Sequence, residues 1–255
     1  MSMEAKRYRA EIAHAELTPG GVLRLVFRPE KIFKYAPGQF LSMYIPADGD
    51  SRERSRTVRR AYSFASPFES AAIHGYELCI KMTPGGRGAD YLNRLRTGSS
   101  IEFMAPYGDF VYEPRDPSRG VCFIGTGSGI GPLRAMALAP ALQESPPAHR
   151  YCLFGCRNQN DVLYAGDFVK AGIETRICLS QPLPGMPEID GQFHGRVTEF
   201  LKTLPPDWPW HTTDFYICGS GQMIEDVRKI LTGGHGVSAK ALFAEHFTET
   251  KKKTA

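Results

Sequence analysis

An unbroken apolar run, Val121-Cys122-Phe123-Ile124, passes directly into Gly125-Thr126-Gly127-Ser128-Gly129-Ile130-Gly131-Pro132, and a helical pattern follows. A strand with no polar face is buried on both sides, which is the habit of a parallel sheet covered by helices. Glycines let backbone approach an anion closely, and the amides at a helix start point toward it. The segment therefore predicts a strand–loop–helix unit built around a phosphate. It is not the Rossmann fingerprint: the third glycine of Gly-x-Gly-x-x-Gly would fall on Ile130, and the nearest acid, Glu144, lies in a loop. Nor is it a P-loop, since no Gly-Lys-Ser/Thr follows.

Strands and helices alternate from this point on. Strands are expected at 121–125, 150–155, 174–179, 214–218 and 239–244, and helices at 132–142, 161–170, 196–204 and 222–231. Such alternation with apolar strands predicts a parallel-sheet α/β domain. The stretch 204–210, rich in Pro and Trp, reads as a loop, and 250–255 as a disordered tail. Upstream of a polar, Pro-containing linker at 114–120 the pattern is different. Short β-branched and aromatic runs at 8–14, 22–27, 39–45, 61–65, 75–82 and 100–104 are bounded by turn signals such as Pro37-Gly38 and Pro84-Gly85-Gly86. They predict an N-terminal antiparallel six-stranded β-barrel with one helix at 88–95. The expected organisation is two domains, 1–115 and 116–255.

Composition excludes several classes. Hydrophobic residues are 42%, charged residues 23% and the net charge is +4, so nothing in the total calls for nucleic acid. No apolar run approaches the roughly 20 residues that span a bilayer, and the polar N-terminus is not a secretory signal. The expectation is a cytoplasmic protein with no membrane insertion. Six cysteines sit mostly in apolar stretches, as reduced buried thiols do. No Cys-x-x-Cys or ferredoxin-type cysteine run is present, so neither zinc nor an iron–sulfur cluster is expected.

About sixty residues before the glycine loop stands Arg60-Ala61-Tyr62-Ser63. Strand alternation puts Arg60 and Tyr62 on one side and Ser63 on the other. An Arg pairs well with a pyrophosphate. A Tyr ring can lie against an isoalloxazine, and a Ser hydroxyl can hydrogen-bond its N5. Standing alone, the tetrapeptide is also what a polar-aromatic strand end looks like.

Its company decides. The chain resembles the ferredoxin–NADP⁺ reductase family over nearly its whole length. Pro37-Gly38-Gln39-Phe40 resembles the family's strand before the flavin motif, and Arg60, Tyr62 and Ser63 match its Arg-x-Tyr-Ser/Thr signature. Residues 85–92, Gly-Gly-Arg-Gly-Ala-Asp-Tyr-Leu, resemble the loop that cradles the FAD pyrophosphate, with Gly86, Gly88 and Ala89 at the helix start. Ala89 stands where the family usually has Ser or Thr. Residues 105–110 resemble the Gly-Pro-x-Gly-x-Phe segment that closes the flavin domain. The glycine loop resembles the family's Gly-Thr-Gly-x-Gly-Ile-Ala-Pro, with Gly131 for Ala. Residues 217–223 resemble its Cys-Gly-x-x-x-Met segment, and 243–247 the Glu-x-Phe ending of oxygenase reductases.

The resemblance implies FAD on the barrel and NADP(H), or NAD(H), on the α/β domain. Ser63 and Cys218 would flank the reacting rings. Arg60, Tyr62, Gly86, Gly88 and Ala89 would hold FAD. Gly125, Thr126, Gly127, Gly129, Cys218, Gly219 and Met223 would hold the nicotinamide cofactor, with Phe247 over the flavin. Arg157, just after the second α/β strand, leans toward a 2′-phosphate and hence NADPH, and Arg176 is a further candidate. The family's Ser-Arg at the third strand end reads Ser180-Gln181 here. Hydride would pass between NAD(P)H and FAD, and single electrons between FAD and a carrier: ferredoxin, flavodoxin or an oxygenase component. The run 52–60 holds five Arg and one Glu, a basic rim suited to an acidic carrier. Alternatives are a reductase of free flavin, ferric chelate or quinone, an electron-transfer subunit of a larger complex, and a non-catalytic flavin or nucleotide sensor.

Overall fold

The computed structural model describes residues 4–46 and 57–247. The N-terminal half forms one antiparallel sheet of β1 (Lys6–Leu17), β2 (Val22–Pro29), β3 (Phe40–Ile45), β4 (Val58–Ser63), β5 (Tyr76–Lys81) and β6 (Ser100–Tyr107), in the order β4-β3-β6-β1-β2-β5. The edges meet. Phe64 bridges Leu78, and the Ala65 N–H donates to the Glu77 carbonyl at 2.8 Å, so the sheet curls until β4 touches β5. Its interior is fully buried Leu25, Phe27, Leu41, Met43, Phe64 and Phe103. Two phenols in that core have partners: Tyr76 Oη donates to the Phe33 carbonyl at 2.7 Å and Tyr35 Oη to the Ser66 carbonyl at 2.6 Å.

Among the described residues two helices, not one, cover this sheet: α1 (Phe68–His74) and α2 (Arg87–Arg94). The first was not expected. It is short and buries only Ala71, so it carries no amphipathic stripe. Its punctuation is nevertheless regular, with Pro67 before it and Gly75 at φ 102 after it. The flavin-motif strand also sits earlier than 61–65, because the chain leaves β3 after Ser63 and crosses to β5 at Phe64.

The second sheet is wholly parallel: β7 (Gly120–Thr126), β8 (Arg150–Cys156), β9 (Glu174–Leu179), β10 (Gln192–His194), β11 (Thr213–Gly219) and β12 (Leu242–His246). The order is β10-β9-β8-β7-β11-β12. The order reverses at β7, with β8 on one side and β11 on the other, which opens a crevice at the C-terminal strand ends. Helices α3 (Ile130–Ala137), α4 (Pro140–Glu144), α5 (Ala165–Lys170), α6 (Val197–Thr203) and α7 (Gly221–Lys229) complete the domain. One face packs Phe123, Phe154, Phe168 and Met136, the other Ile124, Leu153, Ile217 and Val227.

Several boundaries differ from expectation. The helix expected at 132–142 is two helices, because Pro140 has no N–H to continue the first and instead opens the second. Tyr164 at φ 57 delays α5 to Ala165. The three-residue edge strand β10 lies in a segment too rich in Pro and Gly to show a period. The last strand is shifted to Leu242–His246 because Ser238 first caps a single turn at Ala239–Ala241. All six cysteines are buried. Among the described residues no helix is long and apolar enough to cross a membrane.

The linker is pinned to the base of this sheet. Buried Asp214, on β11, accepts from Arg119 Nη2 at 2.7 Å and Nε at 3.2 Å, with Arg115 at 4.0 Å. Asp214→Ala leaves those guanidinium groups partly hydrated, so the expected loss is about 1–3 kcal/mol. It should be read as a lower urea midpoint, with Asp214→Asn losing less; equal midpoints for wild type and Asp214→Ala would refute the clamp.

Candidate functional site

Strand β4 presents Arg60 and Tyr62 to one side and turns Ser63 inward, where it is buried. Across from them α2 begins at Gly86, in extended conformation and with no side-chain cap, so its first-turn amides are not occupied by a capping side chain. A Cβ built on Gly88 would lie 3.4 Å from Tyr62 Oη and 3.7 Å from Arg60 Cγ. Tyr62, Arg60 and the helix start carrying Gly88 and Ala89 therefore form one cradle, and glycine keeps it open. Burial pushes the Tyr62 phenol up to about 12, so it stays neutral.

The glycine loop is built for close approach at two levels. Thr126 ends β7, and Gly127, at φ +54, faces open space. Gly129 does the opposite. A Cβ there would overlap the Cys218 carbonyl and lie 2.7 Å from its carbon and 3.0 Å from Gly219 Cα. Gly219 is equally confined, with Thr126 Oγ1 on one side and Met223 Cε 2.8 Å from its built Cβ. The loops after β7 and β11 are thus pressed together. Gly125 is buried beneath them, its built Cβ 3.0 Å from Leu133 Cδ1. Ser220 Oγ accepts the Met223 N–H at 3.3 Å and starts α7.

Strand β12 then brings in a residue that the site expectations omitted. It pairs with β11 so that Glu245 lies beside Cys218. Ser63 Oγ donates to Glu245 Oε2 at 3.4 Å, and the Phe247 N–H donates to the Gly219 carbonyl at 3.0 Å. Ser63, Cys218, Glu245 and the Phe247 backbone, up to 184 positions apart in sequence, converge where barrel and α/β domain meet. Burial pushes the Glu245 carboxyl up to about 7, and the Ser63 hydroxyl only partly offsets it. The available signal was the Glu of the Glu-x-Phe ending that residues 243–247 resemble.

A cleft of about 730 Å³ opens beside Thr126, Gly127 and Met223 and continues past Arg157 to Arg196, with Lys81 of the barrel on its wall. Arg157 lines it. Arg176 is not among its lining residues and pairs instead with Glu174 at 2.9 Å, which corrects the expectation for that residue. Arg196 and Lys81 went unnoticed because only the topology brings the start of α6 and the end of β5 to the same cleft. Arg52, Arg54 and Arg56 of the arginine run, and the tail 250–255, lie outside the described residues.

A family model described as an oxidoreductase FAD-binding domain matches residues 21–112, and one described as an oxidoreductase NAD-binding domain matches residues 123–229. The chain belongs to the ferredoxin–NADP⁺ reductase family. Among its relatives is ferredoxin–NADP reductase B of Sorangium cellulosum (strain So ce56), 29% identical over 222 residues, 85% of this chain and 87% of that protein. The ferredoxin–NAD(P)⁺ reductase component of the naphthalene 1,2-dioxygenase system of Pseudomonas putida is 25% identical, over 95% of this chain and 70% of that protein. Other relatives are longer, and the chain spans 60% of one and 52% of another. The ferredoxin NADP⁺ reductase of Neisseria gonorrhoeae, solved with bound FAD and NADP, has the same fold at TM-score 0.77 and 16% identity, covering 95% of this chain and 99% of that one.

This ferredoxin–NADP⁺ reductase family member carries groups that suit both cofactors. The Gly88 cradle, with uncapped helix-start amides beside the Arg60 side chain, fits a flavin pyrophosphate. The cleft with Arg157, Arg196 and Lys81 fits a dinucleotide carrying several negative charges.

Proposed function

We propose that the chain is an FAD-dependent NAD(P)H oxidoreductase that exchanges electrons with a protein carrier. The observation that carries this reading is the meeting of Ser63, from the FAD-binding half, with Cys218 and Glu245, from the NAD-binding half. When bound, the two cofactors supply hydride exchange between nicotinamide and flavin and one-electron release to the carrier. The chain's own work is binding, orientation and exclusion of water. Arg60 and the amides of Gly88 and Ala89 would hold the FAD pyrophosphate, with Gly86 leaving room and Tyr62 giving a ring face. Ser63 Oγ would orient the flavin edge. Thr126, Gly127 and Met223 would line the nicotinamide cofactor's path, and buried Cys218 with Gly219 would border its ring. Phe247 would cover the flavin. Arg157, joined by Arg196, supports NADPH over NADH.

The domains divide at 1–115 and 116–255 in this reading, and charge supports an acidic ferredoxin or flavodoxin as the carrier. Residues 1–115 hold 17 Lys and Arg against 13 Asp and Glu, whereas 116–255 hold 14 of each. The entire excess thus rides on the flavin side, where a carrier would dock.

The test is an anaerobic visible spectrum of the purified protein as NADPH, then NADH, is added. Bleaching of a flavin spectrum, faster with NADPH, is expected; a protein that stays colourless with added FAD would end the proposal. Carrier reduction should fall steeply with salt, while reduction of a neutral small acceptor should not. Arg60→Ala removes charge-assisted hydrogen bonds of about 1.5–3 kcal/mol, so FAD should bind roughly 10- to 100-fold more weakly. Unchanged flavin content after dialysis of Arg60→Ala and Tyr62→Ala would refute the cradle assignment.

A further inference from the structure

The contact between the two halves carries a buried polar cluster beside its apolar packing. Glu77 of β5 is buried, at 7% exposure. Its Oε1 accepts from Arg24 Nε at 3.0 Å and Tyr164 Oη at 2.8 Å, and its Oε2 from Arg134 Nη1 at 3.0 Å. Arg134, on α3, also donates through Nη1 to the Ala65 carbonyl at 2.7 Å and through Nε to Asp167 at 2.6 Å. Its guanidinium lies 4.4 Å from the Tyr164 ring centroid. A largely desolvated guanidinium is tolerated only when its donors are satisfied, and here barrel and α/β domain share that task for the partly buried Arg134.

The position of these partners matters more than their number. Ala65 is two residues beyond Ser63 on the same backbone. Helix α3 starts directly from the glycine loop. Its first turn touches the same place, since a Cβ on Gly131 would lie 3.0 Å from Cys79 Cβ and 3.4 Å from Ala65 Cβ. Further along, Met136 Cε approaches Gly38 at the turn before β3. Contacts between domains of one chain ordinarily leave them free to shift. Here one cation ties the segment carrying Ser63 to the helix that presents the nucleotide loop.

We propose that Arg134, with Glu77 as its counter-charge, is a positioning residue that sets the separation between the two cofactor sites. The inference rests on the oxidoreductase reading above. It predicts that loosening this tie slows the hydride step without weakening either binding site. A displacement near 1 Å between reacting groups costs about 100-fold in rate. Lysine cannot replace the planar fork that reaches Ala65, Glu77 and Asp167 together.

The experiment compares wild type, Arg134→Met, Arg134→Lys and Glu77→Gln, with Asp214→Asn as a variant weakened far from this contact. Arg134→Lys serves if Arg134→Met does not fold. FAD content and calorimetric binding of 2′,5′-ADP should stay within about twofold of wild type. Flavin reduction by NADPH should fall about 10- to 100-fold in the Arg134 variants at unchanged KM. The isotope effect with NADPH deuterated at the transferred position should become more temperature-dependent. Amide hydrogen exchange at residues 127–131 should quicken in the Arg134 variants and not in Asp214→Asn. Wild-type reduction rates in the Arg134 variants, a parallel loss of 2′,5′-ADP affinity, or an equal slowing in Asp214→Asn would overturn the proposal. If wild type itself oxidises neither nicotinamide, the oxidoreductase reading falls, and exchange at 127–131 then decides the coupling alone: no change in Arg134→Met overturns it.

Discussion

Gly129→Ala is expected to lose NAD(P)H-driven flavin reduction by two orders of magnitude or more while retaining its FAD. The added methyl would overlap the Cys218 carbonyl and stand 2.7 Å from the Cys218 carbonyl carbon. These are backbone atoms of β11, which is hydrogen-bonded to β7 on one side and β12 on the other. They cannot rotate aside as a side chain would, so the loop itself must move. Overpacking of this kind costs about 1–3 kcal/mol. The same displacement shifts the glycine loop against Gly219, and a misplacement near 1 Å costs about 100-fold in rate. FAD should stay because Arg60, Tyr62 and Gly88 lie on the other domain. Gly127→Ala makes a useful contrast. No atom stands within 4 Å of its built Cβ, so that variant suffers only the strain of a non-glycine residue at φ +54, about 1–2 kcal/mol. Flavin absorbance and stopped-flow reduction check both. Reduction by Gly129→Ala at the wild-type rate would show that the two loops are not in contact.

The two glycines illustrate how far the amino-acid sequence could be read. Their spacing after an apolar strand predicted a strand–loop–helix unit around a phosphate, and β7, the loop and α3 form the strand–loop–helix. Spacing did not separate Gly127, which faces open space, from Gly129, which serves backbone packing. That difference depends on β11, far downstream in the chain. The same holds for Arg157 and Arg176. Both follow strand starts or ends that looked suitable, but only Arg157 lies in the cleft, and the ion pair with Glu174 that occupies Arg176 is a local detail of one strand. Long, apolar, well-bounded elements were legible: β9 spans the residues expected. Short elements were not. Helix α1 has one buried residue and β10 has three residues in all, so neither displays a period. The tie through Arg134, Glu77 and Tyr164 left no trace in local pattern, because each residue taken alone is an ordinary charged or aromatic surface candidate.

Glu245→Gln should alter both stability and turnover, with opposite signs at high pH. In the unfolded chain this carboxyl ionises near the ordinary glutamate value of about 4.3. In the folded protein burial pushes it up to about 7. Between those values the native state holds a proton that the unfolded chain has lost, so this group's contribution to stability falls as pH rises from the lower value to the upper. The loss is complete above pH 7. At about 1.4 kcal/mol per unit it amounts to a few kcal/mol. A glutamine at this position would carry no such titration. The Glu245→Gln variant should therefore match wild type near pH 4.5 and exceed it at pH 8, and the difference between the two urea-midpoint curves isolates this group from all others. Catalysis should move the other way. Below its pKa Glu245 holds a proton on its carboxyl and can donate it to Ser63 Oγ; above it, Oε2 accepts the Ser63 hydroxyl proton instead. The direction of the hydrogen bond at Ser63 thus reverses near pH 7. Wild-type turnover should inflect there, and the glutamine variant, fixed as a neutral donor and acceptor, should show no inflection and, above pH 7, a rate lower by about 10- to 100-fold, the worth of the one charge-assisted hydrogen bond that orients Ser63. Identical pH profiles for turnover in wild type and Glu245→Gln would remove Glu245 from the chemistry, while a flat difference in stability between pH 4.5 and 8 would show that the carboxyl is hydrated in the folded protein.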